Sequence, residues 1–218
     1  MNKLFAIFDM DGTLVDSMVY WQRLGREYLT AQGVTEGMDE VLERIKAMTM
    51  AESSALFIET FGLPGTPESV AAEMNAVMDE HYRSDIPLKP GAADYLAALK
   101  ARGTKMCVAT ATPEPLARAC LERLGVLEDF AFLLSCDEVA AGKDKPDVFF
   151  EAARRLGSAP AETAAFEDAL FAARTAKDAG FYTVGVYDAS GDGHWNELTA
   201  LADETVRDWS AAAERMKI

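Results

Sequence analysis

The sequence predicts an α/β fold, a Rossmann-like parallel sheet core with an inserted α-helical cap, and three observations carry that prediction. Short continuous apolar runs recur along the chain; stretches with helical periodicity separate the later ones; and one long interval near the N-terminus has helical periodicity with no convincing strand. The first run, LFAIF at 4–8, stops at the acidic turn DMDGT, the pattern of a strand buried on both faces. The interval from about 16 to 87 then shows amphipathic helical patterns in succession. Within it Val70, Met74, Val77, Met78, His81 and Tyr82 recur at spacings of three and four, one apolar stripe that reads as helix packing. Prolines in IPLKPG at 86–91 disfavour helix and return the chain to the sheet. Strands follow at KMCVAT (105–110), AFLLS (131–135), TAAF (163–166) and FYTVGV (181–186). Helices are expected at Gly91–Arg102, Glu114–Leu124, Asp147–Leu156 and Leu170–Ala179, each stopped by a glycine at 103, 125, 157 or 180. Strands alternating with helices in this way build right-handed βαβ units. The expected division is therefore a core of 1–15 and 88–218 and a helical cap of 16–87.

Composition narrows the function. The chain has 218 residues, with 21 Lys plus Arg against 36 Asp plus Glu, a formal net charge of −15. That balance repels phosphate backbones and anionic lipid, and no local basic cluster offsets it, so neither nucleic acid nor a membrane surface is an expected partner. No stretch approaches the roughly 18 apolar residues of a membrane span, and Asp9 interrupts the first apolar run, which argues against a secretory signal. Three cysteines, at 107, 120 and 136, lie in apolar segments and suit reduced core positions. A soluble cytoplasmic protein is expected.

Chemistry is expected where the strands end, because ligands of open parallel sheets bind at the strands' carboxyl ends. Asp9 and Asp11 lie just beyond the first strand, and alternate residues of an extended segment project to one side, facing a common cation or substrate. Taken alone, the pair also fits a solvated acidic turn. Three further features follow later strands: Thr110 offers a hydroxyl, Lys143 a cation, and Glu167 with Asp168 two more carboxylates. Two calcium-loop patterns fail on register. In a loop begun at Asp9, Gly12 takes the fourth position where an EF-hand needs its glycine sixth, and a loop begun at Asp188 has Thr199 in place of the twelfth-position Glu. Gly142–Lys143 lacks the flanking residues of a P-loop.

Four segments together resemble the haloacid dehalogenase superfamily, in the helical-cap branch that holds phosphoglycolate phosphatases and β-phosphoglucomutases. FDMDGTLVDS (8–17) is similar to its first motif, VATAT (108–112) to its second, GKDKPDVF (142–149) to its third and FEDALFAARTAKDAG (166–180) to its fourth. The resemblance implies a nucleophilic Asp9 and an Asp11 that acts as general acid and base. It implies Mg²⁺ held by Asp9, the Asp11 backbone carbonyl and Asp168, with Glu167 a ligand through water or an orienter. Thr110 and Lys143 would bind phosphoryl oxygens. The implied activity is a Mg²⁺-dependent phosphatase acting on a small phosphorylated metabolite; a phosphomutase and a noncatalytic phosphate binder are the alternatives. Several positions depart from the family pattern. Asp144 replaces the usual proline, so Lys145 competes with Lys143, and Ala169 replaces a serine. Trp21 stands where the mutases carry a cap histidine, which weakens the mutase alternative, while His81 and His194 read as structural or exposed. Lys46 falls where relatives present a basic residue to substrate, although it also fits a solvated helix charge. The oligomeric state is left open.

Overall fold

A computed structural model describes residues 3–45, 48 and 50–216. Two compact units emerge, Met1–Met18 with Asp85–Ile218, and Val19–Ser84. The first is built on a six-stranded, wholly parallel sheet: β1 (Phe5–Phe8), β2 (Lys105–Thr110), β3 (Leu133–Ser135), β4 (Thr163–Glu167), β5 (Tyr182–Val186) and β6 (Glu204–Val206), in the order β3-β2-β1-β4-β5-β6. The α/β class and the five foreseen strands hold, and β6 is an addition. The central position of β1 explains its unbroken apolar run, because both of its edges and both of its faces are covered.

Alternation along β1 sends successive side chains to opposite faces. Ile7 joins Cys107, Leu134 and Ala165 against Val148, Phe149 and Ala152 of α8 (Asp147–Leu156) and Ala172 and Ala176 of α9 (Leu170–Asp178). Phe8 turns the other way and stacks on Phe166 with ring centroids 4.2 Å apart. That aromatic layer continues through Tyr95 of α5 (Ala92–Ala101) and Trp209 of α11 (Trp209–Met216), 4.8 Å apart. Among the described residues the other α-helices of this unit are α6 (Glu114–Arg123), α7 (Cys136–Val139) and α10 (Trp195–Leu201), with short 3-10 turns of helix at Leu127–Asp129, Pro160–Glu162 and Ala189–His194. α8 ends as its sequence predicts, with Gly157 in the left-handed region at φ 77°.

The second unit contains helices and no strand among its described residues: most of α1 (Met18–Ala31), then α2 (Met38–Ile45), α3 (Met50–Phe61) and α4 (Pro67–Ser84). The apolar stripe of α4 buries Val70, Met74, Met78 and Tyr82, as helix packing requires, whereas Val77 and His81 are half-buried. Trp21 Nε1 donates to Tyr82 Oη at 3.2 Å, and Tyr28 Oη donates to Glu73 at 2.7 Å, tying α1 to α4. Residues 16–18 and 85–87 belong with the sheet because the two chain crossings bond to each other there: Asp16 N donates to Pro87 O at 2.9 Å and Lys89 N to Leu14 O at 2.8 Å. No helix among the described residues is long and apolar enough to cross a membrane.

Candidate active site

Strand register builds the site. Phe8 pairs with Val108 on one side and Phe166 on the other, and Asp9 N extends the second pairing by donating to Phe166 O at 3.0 Å. The residues just past those pairs, Asp9 and Glu167, therefore leave neighbouring strand ends side by side. Between them lies the Lys143 ammonium, 2.5 Å from Asp9 Oδ1 and 2.8 Å from Glu167 Oε1. All three residues are buried. Lys145, the sequence-level competitor, is exposed and stands apart from this contact.

Asp168 completes the acidic set. One carboxylate oxygen from each of Asp9, Glu167 and Asp168 lies within 4.8 Å of the others. Thr13 Oγ1 donates to Asp168 Oδ1 at 3.3 Å, and Trp209 Nε1 holds the Thr13 carbonyl at 3.0 Å. Gly12 makes room for this arrangement. Its φ is +76°, and a Cβ built there would collide with the Asp168 carboxylate.

Asp11 is not one of the three grouped acids. Ser17 Oγ donates to its Oδ1 at 2.6 Å and Thr112 Oγ1 to its Oδ2 at 2.7 Å. Thr110 is fully buried and its Oγ1 accepts from Thr112 N at 3.0 Å, which leaves the Thr110 hydroxyl proton to be donated. Behind Asp168, Asp188 pairs with Lys89 at 2.8 Å and accepts from Ser190 N at 2.8 Å. The segment that imitates a calcium loop thus begins with an ion pair and a turn cap.

Electrostatics show what the site is built to receive. Burial raises the Asp9 carboxyl against the opposing pull of Lys143, and raises Glu167 well above the ordinary range in the same way. Asp168 is pushed up to about 7, by burial first and then by the charges of Asp9 and Asp188. Burial alone would lower the Lys143 ammonium, but its two carboxylate partners outweigh that and hold it above its usual value. Three carboxylates against one ammonium leave an excess of two negative charges when all are ionised. Asp9 Oδ2 is, in addition, buried without a hydrogen-bond partner among the described residues, an arrangement that costs free energy unless something occupies that face. A charge excess of two, hard oxygen donors and an orphaned carboxylate oxygen fit a divalent cation.

Five of the expected site residues, Asp9, Thr110, Lys143, Glu167 and Asp168, therefore gather at the carboxyl ends of β1, β2 and β4, with Asp11 beside them, bonded by the Ser17 and Thr112 hydroxyls. Lys46 lies outside the described residues. His81 is a half-buried helix residue 3.1 Å from Glu27, and His194 is an exposed one. Thr13, Ser17, Thr112, Lys89 and Asp188 are contributors that sequence reasoning misses. Thr112, two residues past Thr110 at the end of an apolar strand, carries the faint signal of a second hydroxyl in register.

Residues 5–180 match the haloacid dehalogenase-like hydrolase family. A phosphoglycolate phosphatase of Shigella boydii is 30% identical over 212 residues, covering 85% of this chain and 83% of its own. A beta-phosphoglucomutase of Bacillus subtilis is 30% identical over 197 residues, covering 83% and 82%. Among solved structures, CbbY from Rhodobacter sphaeroides in complex with xylulose-1,5-bisphosphate superimposes with a TM-score of 0.73 at 26% identity, covering 95% of each chain. A Thermotoga maritima structure, provisionally named a beta-phosphoglucomutase, does so at 0.84 with 25% identity and 98% of each chain covered. With the strand-end acids, the buried lysine and this extent of similarity together, the chain belongs to the haloacid dehalogenase-like hydrolases.

Proposed function

We propose that this hydrolase is a Mg²⁺-dependent phosphatase of a small phosphorylated metabolite, working through an aspartyl-phosphate on Asp9. The observation that carries this reading is the divided environment of one carboxylate: Asp9 Oδ1 is held by Lys143 while Oδ2 is buried with no hydrogen-bond partner among the described residues. In the first step an Asp9 oxygen bonds to phosphorus as the ester P–O bond breaks, and Asp11 gives its proton to the departing oxygen. In the second, Asp11 takes a proton from water, the water oxygen bonds to phosphorus, and the P–O bond to Asp9 breaks to release inorganic phosphate. Thr110 donates its hydroxyl proton to a phosphoryl oxygen, and the Lys143 ammonium offsets the negative charge that gathers there.

Asp9, Asp168 and the Asp11 backbone carbonyl would hold the cation, with Glu167 keeping Lys143 in place and reaching the cation through water. The metal would supply positive charge that lets an anionic nucleophile approach an anionic ester. In this reading residues 1–15 and 88–218 carry the chemistry, and the helical segment 16–87 selects the substrate, Lys46 among its contacts. Trp21, whose indole is engaged by Tyr82, is not a histidine equivalent, which favours hydrolysis over return of the phosphoryl group. A cytoplasmic location fits the three free, buried cysteines.

Phosphate release from a panel of phosphomonoesters, with and without Mg²⁺, tests the proposal, with Asp9→Asn alongside. Metal-dependent release that the variant loses is the expected result. Full release by a deamidation-free Asp9→Asn preparation refutes the nucleophile, and isomerisation of a hexose 1-phosphate without net release turns the assignment to a mutase.

A further inference from the structure

Asp11 must give up a proton and regain one in each turnover, so the direction its carboxylate faces bears on both half-reactions. Two hydroxyls among the described residues hold it. Ser17 donates to Oδ1 from the first-motif segment, and Thr112 donates to Oδ2 at 2.7 Å from the turn after β2, 101 residues away in sequence. A hydroxyl donor at each oxygen restricts rotation about the Cβ–Cγ bond more than a donor at one oxygen does. Thr112 is itself anchored. Its side chain is buried, and its backbone N–H donates to Thr110 Oγ1 at 3.0 Å, so the same residue fixes a hydroxyl bound for the phosphoryl group and the carboxylate that moves the proton.

We propose that Thr112 is a positioning residue for proton transfer: its hydroxyl sets the plane of the Asp11 carboxylate relative to the Thr110 hydroxyl. Its side-chain hydroxyl acts on the proton transfer through Asp11. The backbone link to Thr110 survives any side-chain change, whereas the hydroxyl link is removed by Thr112→Val, a substitution of nearly equal volume. The consequence falls on esters whose leaving oxygen needs a proton. A 4-nitrophenolate leaves without one; an unsubstituted phenolate, a poorer leaving group, gains more from protonation as the P–O bond breaks. Misalignment of Asp11 therefore makes the rate depend more steeply on the leaving group, an effect that simple loosening of the fold does not produce.

The inference rests on Asp11 being the proton donor of the proposed phosphatase, and the test separates the two claims. kcat/KM is measured with Mg²⁺ for aryl phosphates running from 4-nitrophenyl to phenyl, for the unmodified protein, Thr112→Val, Thr112→Ser and Asp11→Asn. Against the 10²–10⁴ that general acid–base catalysis contributes, Thr112→Val should lose roughly tenfold on phenyl phosphate and less than about twofold on the 4-nitrophenyl ester. Thr112→Ser, which restores the hydroxyl, should recover to within about twofold, and Asp11→Asn should steepen the dependence further. An unchanged slope in Thr112→Val, an equal loss on every ester, or a serine variant no better than valine overturns the role of Thr112. A shallow slope in Asp11→Asn overturns the proton donor itself, and no phosphate release by the unmodified protein from any ester overturns the phosphatase.

Discussion

Replacing Lys143 with methionine keeps most of the apolar stem and removes the charge that lies between two buried carboxylates. The lysine and glutamate side chains are 5% and 2% exposed and that of Asp9 9%, so water cannot replace the lost ammonium. Removing one partner of a buried ion pair costs about 3–5 kcal/mol, because the remaining charge is left desolvated. For a protein of this size each kcal/mol lowers the melting temperature by about 2–4 °C, which gives a fall of about 6–20 °C. The deficit must also depend on pH. Asp9 and Glu167 already have raised folded-state pKa values, and without Lys143 they rise further. A carboxyl raised on folding contributes its full stability below its unfolded pKa and loses it as pH rises through the folded value. The gap between variant and unmodified protein should therefore be small near pH 4 and widen toward neutrality. Calorimetry in EDTA at pH 4.5, 6 and 8 reads this directly. A gap under about 1 kcal/mol at pH 8, or one that does not change with pH, would show that the lysine does not neutralise these two groups, since even exposed ion pairs reach that size.

Two further consequences can be checked in the same preparations. Asp168, pushed up to about 7, must lose its proton before it can hold a cation, so Mg²⁺ affinity should fall as pH drops below about 7, with proton release on binding measurable by calorimetry in buffers of different ionisation enthalpy; pH-independent affinity would remove Asp168 from the metal site. Gly12→Ala combines a left-handed backbone at φ +76° with a Cβ directed into the Asp168 carboxylate. It should destabilise the protein by more than about 1 kcal/mol and abolish the stabilisation given by Mg²⁺, and an alanine variant that melts like the unmodified protein would contradict the close approach.

How much of this site a sequence can carry depends on the distance over which each residue's role is decided. Asp9 is legible because a local fact, an acid where a strand buried on both faces must end, is joined by Thr110, Lys143 and the Glu167–Asp168 pair after later strands; alone it also fits a solvated turn. The same reasoning finds Thr110 and the Glu167–Asp168 pair, and it places α8 from Asp147 to Leu156, where the structure has it. It does not find β6, because Glu204, Thr205 and Val206 form a three-residue edge strand whose first two side chains are half-buried, too short and too mixed to show either period. With β6 goes α11, and with α11 goes Trp209, whose indole steadies Thr13 from 196 residues away.

The choice between Lys143 and Lys145 has the same origin. Both follow the same strand and carry the same charge, and local pattern cannot rank them; burial of one beside two carboxylates and exposure of the other does. The polar groups that orient the site, Thr112 on Asp11 and Lys89 on Asp188, are each ordinary in their own segments and acquire a role only when the parallel register aligns the ends of separate strands. In a doubly wound sheet the reacting groups are written at strand ends, where local sequence marks them. The groups that aim them are supplied by neighbouring strands and by helices far along the chain, so variation in how such a site works should be sought there first.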